Sequence, residues 1–209
     1  MTPVDQFRTA LAECPLVAIL RGLRPEEAEA IGDVLFESGI RIIEVPLNSP
    51  DPLVSIGRLA RRLGTRAVIG AGTVLNVEQV AAVRAVGGAL IVSPSTNPAV
   101  IAATVAAGMI SCPGYFTPSE AFAALAAGAH ALKLFPAEAA TPALVKAQRA
   151  VLPKDVPILV VGSVKPELMA AWLEAGANGF GLGSGVFKPG NSAAQVLENA
   201  RSYVAGLKA

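Results

Sequence analysis

Two charged residues stand inside runs that otherwise have no use for charge. Lys133 lies in Ala131-Leu132-Lys133-Leu134-Phe135, and Glu44 in Ile42-Ile43-Glu44-Val45-Pro46-Leu47-Asn48. Strand alternation sets Leu132 and Leu134 on one face and Lys133 on the other, with Ala131 and Phe135. The same period places Glu44 beside Ile42 and turns Ile43 and Val45 away. A lysine stripped of water loses its preference for the charged form, so its pKa falls from ~10.4 toward neutrality. The free amine is then a nucleophile toward a carbonyl carbon. A buried glutamate can serve the same reaction as general acid and base. A second reading fits both residues, an inert buried ion pair, and sequence leaves the two open. The other five lysines, Lys146, Lys154, Lys165, Lys188 and Lys208, fall in helices or loops and read as solvated charges.

Two later apolar runs end alike, in Val161-Gly162-Ser163 and Leu182-Gly183-Ser184-Gly185. Glycine lets a backbone approach an oxyanion closely, and exposed N–H groups at such turns bind phosphate. One Gly-Ser is no signal, because serine also caps helices. Two of them at successive strand ends favour a phosphate site built from Gly162, Ser163, Gly183 and Ser184. Arg21, closing Leu16–Arg21, and Thr73, in Gly70-Ala71-Gly72-Thr73-Val74, suit a substrate carboxylate. Thr73 reads equally as a helix N-cap. His130 starts its run at the opposite end from Lys133 and reads as structural.

These residues need a scaffold that brings several strand ends together. Short apolar runs recur at Leu16–Arg21, Ile42–Leu47, Ala67–Ala71, Ala89–Ser93, Met109–Cys112, Ala131–Phe135, Ile158–Val161 and Gly179–Leu182. They are too uniformly apolar for half-exposed strands and fit parallel strands buried on both faces. Helical stretches such as Pro25–Ser38, Pro52–Leu63, Val77–Val86 and Pro166–Ala175 separate them. Gly39, Gly64, Gly87, Gly108, Gly128 and Gly176 punctuate the helix ends at the spacing of one strand plus one helix. Eight such units predict an α/β fold, a (βα)8 TIM barrel, with residues 1–209 forming a single domain. An open doubly wound sheet is the alternative. Its glycine-rich first turn is missing from Arg21-Gly22-Leu23-Arg24.

Composition narrows the partners. Seventeen basic side chains nearly cancel sixteen acidic ones, which argues against nucleic acid or an anionic membrane surface. Ala85–Ser119 carries no charge over 35 residues, yet its prolines forbid a spanning helix. A single histidine removes most zinc chemistry, so no metal is expected. Cys14 and Cys112 make no disulfide framework and fit a reduced, cytoplasmic compartment. Met1-Thr2-Pro3-Val4-Asp5 does not begin a signal peptide.

Taken together, Ile19-Leu20-Arg21-Gly22, Glu44-Val45-Pro46-Leu47-Asn48-Ser49-Pro50, Gly70-Ala71-Gly72-Thr73-Val74, Cys112-Pro113-Gly114 and Leu132-Lys133-Leu134-Phe135-Pro136 occur in a familiar order. The chain resembles the class I aldolases that cleave 2-dehydro-3-deoxy-6-phospho sugar acids. The resemblance implies a homotrimeric (βα)8 barrel that needs no cofactor or metal and takes a phosphorylated sugar acid. It gives Lys133 the Schiff base and Glu44 the proton transfers. Substrate contacts fall to Arg21, Thr73, Gly162, Gly183 and Ser184. Ser163 stands where relatives commonly carry glycine, so its hydroxyl either adds a phosphate contact or crowds the turn. Gluconate-type relatives end the glutamate strand with Glu-Val-Thr-Leu-Arg, whereas here Asn48 takes that arginine's position and Arg21 supplies the cation. That arrangement resembles the galactonate-type one. Two other classes remain open: a pyridoxal-phosphate barrel and a non-catalytic phosphosugar-binding module. A metal-dependent aldolase would lack histidine ligands.

Overall fold

The computed structural model describes residues 2–207, so Lys208 lies outside the described residues. Nine strand segments run parallel: β1 (Leu16–Ile19), β2 (Ile42–Pro46), β3 (Val68–Gly72), β4 (Leu90–Val92), β5 (Ile110–Cys112), β6 (Gly114–Tyr115), β7 (Leu132–Leu134), β8 (Ile158–Val161) and β9 (Gly179–Leu182). Their order around the sheet is β5-β4-β3-β2-β1-β9-β8-β7-β6. The two terminal segments are halves of one strand interrupted at Pro113, which has no N–H for a ladder. β5 pairs with β4 and β6 with β7. Lys133 N–H donates to the Pro113 carbonyl at 2.9 Å, and His130 N–H donates to Ser111 at 2.9 Å. The ring therefore closes through the broken strand, giving the eight-stranded barrel that the apolar runs predict.

Helices α1 (Pro3–Glu13), α2 (Ala28–Ser38), α3 (Pro52–Leu63), α4 (Val77–Ala85), α5 (Pro98–Ala106), α6 (Pro118–Ala126), α7 (Pro142–Arg149), α8 (Met169–Glu174) and α9 (Ala193–Gly206) surround it. From α2 onward each helix follows a barrel strand, and α9 packs on α2 to complete the outer layer. Two expected helices start late. α2 begins at Ala28, after a turn over residues 25–27 in which the Glu27 carboxylate accepts from the Arg24 backbone N–H at 3.2 Å. Pro166 opens a 3₁₀ turn, Pro166–Leu168, ahead of α8. Among the punctuating glycines, Gly39 ends α2 in a left-handed conformation (φ 105°) that side chains resist, whereas Gly64 stays right-handed at φ −60°. Among the described residues, no helix is long and apolar enough to cross a membrane.

The strands carry two cores at once, which is why their sequences show no polar alternation. Ile43, Val45, Ile69, Leu132, Leu134 and Val160 pack outward against the helices. Val17, Ile19, Ile42, Leu90, Val92, Ala131, Leu159 and Val161 fill the barrel interior. Helix α1 lies outside the strand–helix repeat and was not expected from it. It starts with a capping box between Thr2 and Asp5 and drives Phe7 into the interior cluster. Gln6 ties it down through Nε2 to the Gly64 carbonyl at 3.2 Å. Phe7 thus stoppers the barrel beneath the interior side chains.

Phe7→Ala is expected to destabilise the fold by ~3–5 kcal/mol, because the void faces packed strands that cannot collapse into it. Urea unfolding checks this; a loss below ~1 kcal/mol would show that α1 is not a structural plug.

Candidate active site

The opposite end of the barrel opens into a cavity of about 630 Å³. Arg21, Glu44, Thr73, Lys133, Gly162, Ser163, Gly183 and Ser184 all line it, so every site residue picked out from the sequence meets in one place. Their convergence follows from the parallel barrel, which puts all strand C-termini at one rim. Lys133 on β7 and Glu44 on β2 point inward from buried strands and are 8% and 2% exposed. Beneath them lies an apolar floor of Phe7, Val17, Ile19, Leu90, Val92, Leu159 and Val161.

That floor sets the electrostatics. Burial pushes the Glu44 carboxyl up to about 7, against the pull of Lys133 and Arg21. Burial also lowers the Lys133 amine from its ordinary value, opposed by Glu44 and Cys112. The two are near enough to bias each other's titration, yet no direct ion pair joins them: Glu44 Oε2 is buried without a hydrogen-bonding partner. This geometry disfavours the inert-pair reading. The Lys133 Nζ also lies 4.7 Å from the centre of the Phe135 ring. Gly72 is a contributor that sequence reading missed. A Cβ at Gly72 would overlap the Glu44 carboxyl, so its absence makes room for that group to lie flat against β3.

At the strand 1–3 edge, Arg21 Nη1 donates to Asn48 Oδ1 at 2.5 Å, and Nη2 lies 3.5 Å from Thr73 Oγ1. Thr73 holds φ 58°, a strained conformation for a β-branched residue. It does not cap a helix; Asn76 caps α4, accepting from Gln79 N–H at 2.9 Å. The helix-cap reading also fails for the two glycine-serine turns. No side chain caps the turn at Pro166, and Ser192 caps α9.

The Gly162–Ser163 turn brings a surprise. Ser163 N–H donates to Glu138 Oε1 at 2.8 Å, and the Ser163 side chain, ahead of backbone N–H groups, holds the Glu138 carboxyl below its ordinary range. Glu138 follows Lys133 by only five residues, in Phe135-Pro136-Ala137-Glu138, but nothing in its type distinguished it from a surface acid. Lys188, read from sequence as a solvated loop charge, also lines the cavity. His130 lies at the other end of β7, where its Nδ1 accepts from Ser111 N–H at 3.1 Å.

A parallel barrel that gathers a desolvated lysine, a carboxylate and two glycine-serine turns at one mouth has the frame of a (βα)8-barrel enzyme. The family model for KDPG and KHG aldolases matches residues 7–198, and the chain belongs to that family. It is 49% identical over 206 residues to the probable 2-dehydro-3-deoxy-6-phosphogalactonate aldolase of Rhizobium meliloti (strain 1021), covering 99% of this chain and 97% of that protein. It is 45% identical over 199 residues to the 2-dehydro-3-deoxy-6-phosphogalactonate aldolase of Escherichia coli (strain K12), covering 95% and 96%. A solved structure described as native KDPGal superposes with a TM-score of 0.92 at 44% identity, covering 94% of this chain and 95% of that one.

Glu44 ionises near 4.5 in an unfolded chain but at about 7 here. Between those values the folded state keeps a proton that the unfolded state has released, so this residue makes stability fall as pH rises. Glu44→Gln removes that titration. Its stability relative to the unsubstituted protein is expected to climb between pH 4.5 and pH 7, by about 3 kcal/mol at most. Urea unfolding at the two pH values measures the difference; parallel pH dependence would show that Glu44 titrates as an ordinary carboxylate.

Proposed function

We propose that this chain is a class I aldolase that cleaves 2-dehydro-3-deoxy-6-phosphogalactonate to pyruvate and glyceraldehyde 3-phosphate. The observation that carries the reading is the buried Lys133 amine, its pKa lowered, facing a Glu44 carboxyl that it does not pair with. The neutral amine adds to the C2 ketone, and loss of water from the carbinolamine leaves an iminium. Glu44, acting through a water, carries protons in that dehydration and takes the proton of the C4 hydroxyl. Breaking the C3–C4 bond sends its electron pair into the iminium. Glyceraldehyde 3-phosphate departs and an enamine of pyruvate remains. Protonation at C3 and hydrolysis release pyruvate and return the amine, so the water lost on entry is regained. A carboxyl titrating at about 7 suits proton transfer in both directions at neutral pH.

Arg21 and Thr73 hold the substrate carboxylate, while Gly162, Ser163, Gly183 and Ser184 face the phosphate. Support for the galactonate epimer comes from Arg21, which reaches Asn48 from strand 1, whereas gluconate-type relatives supply their cation from strand 2 and so from a different side. A guanidinium entering from that side turns the substrate carboxylate and changes how the C4 hydroxyl meets Glu44. We further infer a homotrimer, on the family resemblance, and a cytoplasmic location, consistent with the two unpaired buried cysteines.

Incubation with pyruvate and borohydride is expected to leave a reduced adduct on Lys133, and Lys133→Ala is expected to abolish both adduct and cleavage. Mass mapping without an adduct, or turnover surviving in the variant, would remove the nucleophile. Side-by-side kinetics on the two C4 epimers should give the higher kcat/KM for the galactonate compound. A preference for the gluconate compound would refute the assignment of Arg21 and Asn48 to epimer choice.

A further inference from the structure

Phosphate recognition rests on the function proposed above, and the charge that meets the phosphate has no owner among the residues so far discussed. The Gly162–Ser163 turn offers less than its sequence suggests. Its Ser163 N–H is already bonded to Glu138, and Glu138 with Ala137 fills the space where a Cβ on Gly162 would lie. A carboxylate therefore stands on that wall of the cavity, and it repels an incoming phosphate. Arg21 is engaged with Asn48 at the ends of β1 and β2. Lys133 is committed to the carbonyl chemistry.

Lys188 answers both deficits. It lines the main cavity and also the adjoining cleft of about 210 Å³ that Ser163, Gly183 and Ser184 share between the ends of β8 and β9; Lys165 borders that cleft too but does not line the main cavity. Its turn is built, not loose. Lys188 N–H donates to Asn191 Oδ1 at 2.8 Å, and Asn191 N–H returns to the Lys188 carbonyl at 3.0 Å. Pro189 packs over Gly22, where no Cβ would fit. The ion pairs among the described residues join Arg24 to Glu26 and Glu27, Arg62 to Asp33, and Arg201 to Glu37. Lys188 takes no part in them. An unpaired ammonium on a fixed turn, beside the Gly183–Ser184 backbone, is complementary to a dianion.

We propose that Lys188 binds the substrate phosphate together with Gly183 and Ser184, and that it sets the preference for phosphorylated over unphosphorylated sugar acids. Glu138 anchors the facing Gly162–Ser163 turn and leaves the charge contact to Lys188. The test compares kcat/KM for 2-dehydro-3-deoxy-6-phosphogalactonate and its unphosphorylated counterpart in the unsubstituted protein, Lys188→Gln and Lys188→Arg. Loss of one charge-assisted contact lowers the ratio of the two values roughly 10- to 100-fold in Lys188→Gln, through KM more than kcat. Lys188→Arg restores most of it. Competitive inhibition by inorganic phosphate weakens in the same order. An unmoved ratio, an equal loss on both substrates, or a ratio that falls in Lys165→Gln but not in Lys188→Gln would overturn the proposal. Pyruvate trapping on the same preparations separates the two levels. No adduct on Lys133 of the unsubstituted protein refutes the aldolase reading itself, whereas an adduct with an unmoved ratio refutes the role of Lys188 alone.

Discussion

Desolvation inside the barrel is the constraint on which the rest of this structure depends. Among the described residues, Lys133 and Glu44 are the buried charged side chains, and both sit above an apolar floor. Water at that floor would restore the lysine and the glutamate to their ordinary titration, and the lysine would lose the shift that frees its amine. The stopper formed by α1 and Phe7 keeps the floor dry from one end. The broken strand at Pro113 belongs to the same design, since its carbonyl holds the backbone of Lys133 in register. Gly72 does the corresponding service for Glu44 by leaving space against β3.

Charge is then distributed around the mouth by strand order. Arg21, Asn48 and Thr73 occupy the ends of the first three barrel strands, where an arginine already oriented by an amide can meet a carboxylate. The glycine-serine turns and Lys188 occupy the ends of β8 and β9. On the function proposed above, a substrate with a carboxylate at one end and a phosphate at the other would reach from the first group of strand ends to the second. Strain at Thr73 fits this division, because a left-handed β-branched residue persists only where the surroundings hold it.

Much of this was legible in the sequence, and the reasons are specific. Lys133 and Glu44 stood out because a buried parallel strand tolerates almost no charge, so an exception has a cause. Gly162-Ser163 and Gly183-Ser184 were visible because the barrel repeat predicts where anion-binding turns fall. The N-terminal helix was not legible, since it lies outside the strand–helix repeat and its one decisive residue, Phe7, resembles any other core aromatic. Glu138 and Lys188 escaped for the opposite reason. They are exposed charges, Glu138 on a short 3₁₀ turn and Lys188 on a loop, and only three-dimensional proximity separates them from solvated ones. Asn48 was read as a mark of epimer choice, but its hold on Arg21 needed coordinates.

The lowered pKa of the Lys133 amine is the central claim, and its titration can be observed directly. With lysine labelled at the ε-carbon, the chemical shift of that single buried site can be followed by NMR from neutral to alkaline pH, with Lys133→Ala identifying the signal. The account predicts a midpoint clearly below the ~10.4 of a solvated lysine. A midpoint at or above that value would mean that Lys133 is a stable ammonium, and would contradict the account.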